Sequence, residues 1–221
     1  MADGLSDLTI GVLGGTGPLG KGLARRWCAA GLRVMIGSRA ADRAQAVAAE
    51  IAAPEGTASG ADNFACAQTA DVVVVAVPWD GHADLLKSVA DATAGKLVVD
   101  VVNPLGFDKR GPFRLDVPEG SAAEQAAALL PRARVAAAFH HVSAVLLNDT
   151  EVDEIGMDVL VLGEEREDTD LVRSLADAIP GMRGVYAGRL RNAGQVEALT
   201  ANLIAINRRY KTHAGITVTG I

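Results

Sequence analysis

Three features of the sequence predict an α/β fold built on a doubly wound, mostly parallel sheet. The apolar run at 8–13 leads directly into a glycine-rich turn and then into apolar residues at helical spacing. The run at 71–77 is almost entirely β-branched, and its lack of polar alternation is typical of a strand covered on both faces. Hydrophobic residues make up 49% of the chain and aromatic residues only 4%, which suits helices packed on a parallel sheet.

Strands and helices alternate along the rest of the chain. Further strands are predicted at 33–37, 57–59, 96–102, 135–139, 158–162 and 184–187. Further helices are predicted at 41–53, 62–70, 81–94, 121–130, 164–179 and 191–210. The glycines, prolines and mixed charges of 106–120 indicate a long loop.

The length of 221 residues allows one domain, or one domain with a small second lobe. We expect a Rossmann-type nucleotide-binding domain at 1–165 and a smaller, α-rich C-terminal lobe at 166–221. No low-complexity linker separates the two, so the lobe should pack directly on the domain.

The turn after the first strand carries the pattern G-x-G-x-x-G, with its glycines at Gly15, Gly17 and Gly20. Glycines permit a tight turn and the close approach of a pyrophosphate, and the following helix directs free N–H groups at that phosphate. Pro18 stands at the first helical turn, where its missing N–H costs nothing. A glycine-rich loop without a ligand is the alternative, but the order of strand, turn and helix favours a dinucleotide site.

The end of the second predicted strand favours NADP over NAD. An NAD site usually places an acidic residue there to bind the ribose hydroxyls. This chain instead has Ser38 and Arg39, with Arg43 one helical turn further on, and these groups suit a 2′-phosphate. Asp42 is close in sequence but is expected in the first turn of the following helix.

Composition excludes several other classes of protein. The net charge is −6 and no long basic run occurs, which argues against a nucleic acid partner. The N-terminus lacks the apolar core of a signal peptide, and no segment is long enough to span a membrane, so a cytoplasmic location is expected. Cys28 and Cys66 are expected to be buried thiols.

Four aromatic or imidazole side chains leave alternatives open. His140 and His141 are adjacent on a predicted strand and point to opposite faces, so a metal site is not expected. One of them either bonds a ligand or satisfies loop carbonyls. Trp79 either borders a ligand or fills the core, and His82 is expected at the surface or at a helix cap.

The chain has no Ser-Tyr-Lys set and no clear general acid near the expected nicotinamide. Reducing a carbonyl needs a proton donor beside the substrate. Passing a hydride between two redox cofactors requires mainly that the protein hold their rings together.

Seven segments, spread along nearly the whole chain, resemble the coenzyme F420-dependent NADP oxidoreductase family. They are GGTGPLGKG at 14–22, GSR at 37–39, VPW at 77–79, AFHHVSA at 138–144, RNA at 191–193, NRRYK at 207–211 and HAGI at 213–216. The chain departs from archaeal members at Ser143, where they tend to carry Pro, and at Arg43, where they tend to carry Lys.

The resemblance implies reversible hydride transfer between the 5-deazaflavin coenzyme F420 and NADP, by a homodimer. It implies cofactor binding by Gly15, Thr16, Gly17, Pro18, Leu19, Ser38, Arg39, Arg43, Pro78, Trp79, His140, Val142, Ser143, Ala144, Ala214 and Gly215. The segment 16–19 would hold the pyrophosphate, and 38–43 the 2′-phosphate. Trp79 and Ala144 would border the nicotinamide, and the deazaflavin would lie between the loop at 140–144 and the turn at 214–215. These residues only position the cofactors, and no metal is implied.

Two other functions fit the nucleotide half of the sequence. An NADPH-dependent reductase of a small imine, ketone or metal chelate would oxidise NADPH without F420. A non-catalytic NADP-sensing regulator would bind NADP and transfer no hydride to any acceptor.

Overall fold

The computed structural model describes residues 5–221, and its main feature is an eight-stranded sheet with helices on both faces. The strands are β1 (Thr9–Leu13), β2 (Arg33–Ser38), β3 (Thr57–Asp62), β4 (Val72–Val75), β5 (Leu97–Asp100), β6 (Leu105–Asp108), β7 (Gly111–Arg114), β8 (Arg134–Ala137), β9 (Met157–Gly163) and β10 (Met182–Gly188). The helices are α1 (Pro18–Ala29), α2 (Ala41–Ile51), α3 (Asn63–Thr69), α4 (His82–Val89), α5 (Ala122–Leu129), α6 (Ala144–Asn148), α7 (Arg166–Asp177) and α8 (Ala193–Tyr210). Short 3-10 turns at Trp79–Gly81 and Leu190–Asn192 precede α4 and α8.

The sheet has the strand order β3-β2-β1-β4-β5-β8-β9-β10, which confirms the doubly wound fold. Its first six strands are parallel, and β9 pairs antiparallel with β8. Leu13 stands opposite Gly37 on one side and Val75 on the other, so β1, β2 and β4 end at the same edge. The strand order reverses between β1 and β4, and this places the crevice for a ligand at that edge.

Two apolar layers cover the faces of the sheet. Helices α1, α2, α6 and α7 contribute to one, and α3, α4, α5 and α8 to the other. Trp27 of α1 is fully buried, donates from Nε1 to the carbonyl of Leu175 at 2.8 Å, and meets the ring of Phe139 edge-on. Cys28 and Cys66 are buried free thiols, as expected, and burial raises the pKa of Cys66 to about 12.

The structure adds two elements that the sequence did not predict. The predicted loop at 106–120 contains most of the antiparallel hairpin of β6 and β7, whose turn is closed by N–H bonds from Arg110 and Gly111 to Asp108. Helix α6 follows the His140 segment directly. The predicted strands and helices otherwise occur, with ends shifted by a few residues.

The predicted domain boundary at residue 165 lies just before α7. Beyond it, β10 pairs with β9, so residues on both sides of the boundary share the main sheet. Among residues 5–221, no helix is long and apolar enough to cross a membrane.

Candidate functional site

A cavity of about 620 Å³ opens at the carboxyl edge of the sheet, where the strand order reverses. Its walls come from the glycine turn, from the end of β2 with the start of α2, and from the segment that joins β4 to α4. It brings together six of the predicted cofactor residues: Thr16, Gly17, Ser38, Arg39, Arg43 and Pro78.

The glycine turn is shaped to bring the backbone close to a ligand. Gly14 has a φ of +72°, and a Cβ on it would lie 2.6 Å from Cγ1 of Val77. Gly17 caps α1 without a side-chain hydrogen bond, and no acidic residue stands in the first turn of that helix. The first N–H groups of α1 therefore have no side-chain acceptor in the described part of the chain, an arrangement that suits a phosphate.

Ser38, Arg39 and Arg43 form a polar corner at one end of the cavity. The Ser38 side chain is buried, and its Oγ accepts a bond of 3.4 Å from the N–H of Ala40. Arg39 and Arg43 are exposed, and within residues 5–221 neither forms an ion pair with a carboxylate. Two unpaired guanidinium groups beside a hydroxyl fit a phosphate monoester.

Four polar residues in this cavity escaped the sequence analysis: Asn63, Asp80, Asp84 and Ser88. Asn63 Oδ1 accepts a bond of 3.4 Å from the N–H of Gly14, which ties α3 to the glycine turn. Asn63 directly follows β3, and the other three lie after β4. Their position beyond parallel strands was the available signal, since ligand-binding residues concentrate there.

A second cavity of about 260 Å³ continues along the sheet edge and shares Gly17, Val77 and Pro78 with the first. Pro18 and Leu19 line it from α1, and the segment that follows β5 lines it with Asn103. Together the two cavities form an elongated groove across the point where the strand order reverses. An extended dinucleotide fits such a shape.

The structure corrects the expectation for His82. His82 is fully buried rather than at the surface, with Nε2 2.6 Å from Asp100 Oδ2 and Nδ1 3.0 Å from Gln125 Oε1. Burial lowers its pKa, but the bonds and charge of Asp100 outweigh that effect, so the pKa of His82 is raised. Trp79 stacks on the His82 ring at 5.4 Å. Trp79 is half-buried and packs against the apolar layer, which favours the prediction that it fills the core. Part of its ring stays exposed, so it can also border a ligand.

Glu197 of α8 is a second buried acid behind this pair. It accepts bonds from the N–H groups of Ala122 and Ala123, at the start of α5. Burial raises the pKa of Glu197 to about 7 despite those two bonds. Glu197 lines neither cavity of the groove, so it is a carboxyl group of the core whose pKa burial raises.

The loop that begins at Phe139 is held by its backbone. Phe139 is fully buried with a φ of 60°, a left-handed conformation that costs a non-glycine residue energy and tends to occur at functional sites. The carbonyl of His140 accepts from Asn103 Nδ2 at 2.7 Å and from Thr200 Oγ1 at 3.0 Å. The segment that follows β5 and helix α8 thus fix the loop.

Both nitrogens of the His140 ring are buried without a hydrogen-bond partner among residues 5–221, so this ring satisfies no loop carbonyl there, and its bond to a ligand remains a prediction. His141 Nε2 accepts a bond of 3.3 Å from the N–H of Leu160, so that ring satisfies a backbone group. Burial lowers the pKa of each imidazole to about 4. No three His, Cys, Asp or Glu side chains in the described chain gather closely enough to hold a metal.

These two imidazoles predict a loss of stability in mild acid. Unfolding returns them to a pKa of about 6.5. Between that pH and about 4 the unfolded chain binds protons that the folded chain does not. These two imidazoles should therefore lower the free energy of unfolding as the pH drops through this window, by on the order of a few kcal/mol, and the raised pKa of Glu197 offsets part of that loss. Urea unfolding at a series of pH values measures the slope.

The matched variants are His141→Gln, which removes a buried imidazole, and His213→Gln, which changes an exposed one. The first should flatten the slope and the second should leave it as in the parent protein. Equal slopes in all three proteins would contradict the neutral state of His141.

The C-terminal tail, residues 211–221, lies beside the His140 loop. Ser143 Oγ is 3.4 Å from His213 Nδ1, and the Ala214 N–H donates to Asn207 Oδ1 at 2.6 Å. A Cβ on Gly215 would lie 2.9 Å from Cβ of Met157, so the tail packs closely on β9. The two segments expected to enclose the deazaflavin are therefore neighbours.

Comparison with known proteins identifies the family. The family described as NADP oxidoreductase, coenzyme F420-dependent, matches residues 9–104. The F420-dependent NADP reductase of Methanothermobacter thermautotrophicus is 38% identical over 97% of this chain and 96% of its own length. The chain belongs to the coenzyme F420-dependent NADP oxidoreductase family.

Two further relatives support the assignment of this oxidoreductase to the family. The F420-dependent NADP reductase of Methanothermobacter marburgensis is 38% identical over 97% of this chain and 99% of its own length. A solved structure from Arthrobacter sp. FB24, provisionally assigned as an F420-dependent NADP-reductase, superposes with a TM-score of 0.79 at 25% identity, covering 96% of this chain and 100% of that one.

Membership in the F420-dependent oxidoreductase family confirms the resemblance seen in the sequence. The glycine turn and the arginine corner of this chain fit NADP, because they offer N–H groups and two guanidinium groups that have no carboxylate partner from residue 5 onward. The assignments of single residues to the two cofactors remain predictions. Gly15 lies inside the turn, and its N–H bonds to the carbonyls of Val12 and Gly37 rather than lining the cavity.

Proposed function

We propose that the protein catalyses reversible hydride transfer between reduced coenzyme F420 and NADP. The observation that carries this proposal is the groove at the sheet edge, which has at one end two arginines without a carboxylate partner among residues 5–221. Its second cavity is lined by Asn103, which also holds the His140 carbonyl and so connects the groove to the loop that lies beside the tail. One end suits a phosphorylated dinucleotide, and the loop and tail supply a wall for a second planar ring.

The reaction moves one hydride from reduced F420 to the nicotinamide of NADP⁺ and releases one proton. The chain contributes orientation and exclusion of water. The N-terminus of α1 would hold the pyrophosphate, Arg39 and Arg43 the 2′-phosphate, and Trp79 the nicotinamide edge. The loop at 140–144 and the turn at 214–215 would hold the deazaflavin over it. Fixed geometry of this kind lowers the barrier by removing the entropy of encounter.

The same proposal includes a cytoplasmic homodimer. Phe107 of β6 is 62% exposed and Tyr210 at the end of α8 is 73% exposed, while β7 packs against α8. Exposed aromatic side chains on adjoining elements suit a protein interface. Two free buried cysteines suit a reducing compartment.

Mixing the purified protein with NADPH and oxidised F420 tests the function. Absorbance of the oxidised deazaflavin and of NADPH should fall together, and excess NADP⁺ with reduced F420 should reverse the change. A small imine, a ketone or a metal chelate in place of F420 should leave NADPH unoxidised. Turnover with one of these acceptors and none with F420 would favour the alternative reductase. Binding of NADP without turnover of any acceptor would favour a regulator.

A further inference from the structure

Helix α6 lies along one face of α1, the helix that follows the glycine turn. The contacts involve Pro18, Gly22 and Arg26 of α1, which are four residues apart and therefore share a face. This contact joins two parts of the proposed site. The start of α1 belongs to the NADP groove, while Ser143 caps α6 and Ala144 is its first residue.

The middle of this contact has no spare room. A Cβ on Gly22 would lie 2.6 Å from Cβ of Leu147 and 2.8 Å from Nδ2 of Asn148. Leu147 is fully buried. Any side chain at position 22 would therefore push α6 away from α1.

Arg26 holds the far end of the contact. Its guanidinium donates to the carbonyls of Leu146, Leu147, Asp149 and Val152 at 2.7 to 3.0 Å. These are carbonyl groups at and beyond the end of α6, which have no partner within that helix. One side chain of α1 thereby fixes the end of α6 and the turn after it.

Asn148 holds the near end, close to both cofactor segments. Its Nδ2 donates to the carbonyl of Pro18 at 2.8 Å and to the carbonyl of Ala144 at 2.7 Å. The two N–H groups of one amide therefore join the first residue of α1 to the first residue of α6. Only an amide supplies two donors from one short, uncharged nitrogen here, whereas an aspartate supplies none.

We propose that Asn148 is a positioning residue that sets the spacing between the two cofactor rings, an inference that rests on the proposed function. It touches neither ring. Pro18 belongs to the segment that would hold the pyrophosphate of NADP, and Ala144 would border the nicotinamide at the end of the loop that would hold the deazaflavin. By tying Pro18 to Ala144, Asn148 would fix the bound dinucleotide relative to that loop. Hydride transfer is sensitive to such spacing, because a displacement of about 1 Å can reduce a rate by about 100-fold.

The test compares the parent protein with Asn148→Ala in single-turnover experiments with NADPH and F420. We expect the rate of hydride transfer to fall by about 10- to 100-fold, while the dissociation constant of each cofactor alone changes less than about threefold, about 0.6 kcal/mol. The deuterium isotope effect, measured with NADPH labelled at the transferred hydrogen, should rise. An isotope effect is a ratio, so a smaller fraction of folded enzyme leaves it unchanged.

Glu50→Gln is the matched control. Glu50 lies at the end of α2 and pairs with Arg25 of α1 on a different side of that helix. Its substitution loosens α1 without touching α6, so the rate and the isotope effect should match those of the parent. Gly22→Ala is the second variant. It changes α1 instead of α6, and its added methyl group would push α6 away, so it should raise the isotope effect as Asn148→Ala does. If Asn148→Ala does not fold, Asn148→Asp keeps the length of the side chain, removes both donors and provides the same measurement.

The outcomes separate the two proposals. If the parent protein transfers no hydride to F420, the proposed function fails. If the parent is active and a folded Asn148 variant keeps the parent rate, or loses rate with an unchanged isotope effect, the positioning role of Asn148 is overturned. A raised isotope effect in Glu50→Gln would overturn it as well.

Discussion

Replacing Arg39 with Ala is expected to weaken the binding of NADP by about 1–3 kcal/mol and to leave the binding of NAD nearly unchanged. Arg39 is exposed at the cavity rim and has no carboxylate partner within residues 5–221, so its charge is available to a 2′-phosphate. NAD lacks that phosphate. Titration calorimetry or fluorescence titration with both dinucleotides measures the difference.

Arg33→Ala provides the control for this experiment. Arg33 begins β2 at the opposite edge of the sheet, where it forms an exposed ion pair with Asp7. Its loss removes an equal charge at the other end of β2 but should not change the preference for NADP. Equal losses of NADP and NAD affinity in Arg39→Ala would remove Arg39 from the 2′-phosphate site. Arg43→Ala should show a loss of the same sign.

Replacing Asp158 with Asn should raise the Michaelis constant for F420 by about tenfold, if reordering the tail costs about 1.4 kcal/mol. Asp158 is 4% exposed and accepts bonds from Arg183 and from the N–H of Val218. Arg183 also donates to the carbonyls of Val218 and Ile221. The pair thus fastens the C-terminal tail, which carries the turn at 214–215. NADP affinity should not change, because no part of the tail lines either cavity of the groove.

Steady-state kinetics with each cofactor varied in turn provide the measurement. Arg166→Ala breaks an exposed ion pair with Asp170 within α7 and serves as the control. It should change the Michaelis constant of neither F420 nor NADP. The bonds from Arg183 hold the pKa of Asp158 below its ordinary value. The fastening is therefore complete above about pH 4 and weakens as the pH falls through the lowered pKa. A normal Michaelis constant for F420 in folded Asp158→Asn would refute this role.

The sequence was sufficient for the elements that a strong local pattern defines. The valines of β4, the apolar run of β1 and the long helix α8 occur close to their predicted places. The hairpin of β6 and β7 was missed because glycine and proline within it indicate a loop, and its strands are only four residues long. Helix α6 has five residues, too few for a helical period to emerge.

The features of the candidate site also separate into those that a local sequence pattern predicts and those that depend on long-range contacts. The glycine turn and the arginine corner are local patterns, so a motif reveals them. The pairing of His82 with Asp100 depends on strand β5 meeting the start of α4, which no local pattern records. The bond from Asn148 to Pro18 joins residues 130 positions apart. Contacts of this kind are properties of the assembled fold, and only coordinates reveal them.

Because β9 runs antiparallel to β8, truncation at the C-terminus should affect the edge of the sheet as well as the tail. Strand β8 reaches β9 only near Leu162 and Gly163, and further back the Asp158 N–H bonds instead to the carbonyl of Ile216. The tail thus acts as a partial substitute strand and shields backbone groups that would otherwise invite pairing with another molecule. Deletion of the last residues would expose unpaired backbone groups of β9 and would also remove the turn at 214–215 from the proposed deazaflavin site. Point substitutions that leave this cover in place will report on cofactor binding without the confusion of aggregation.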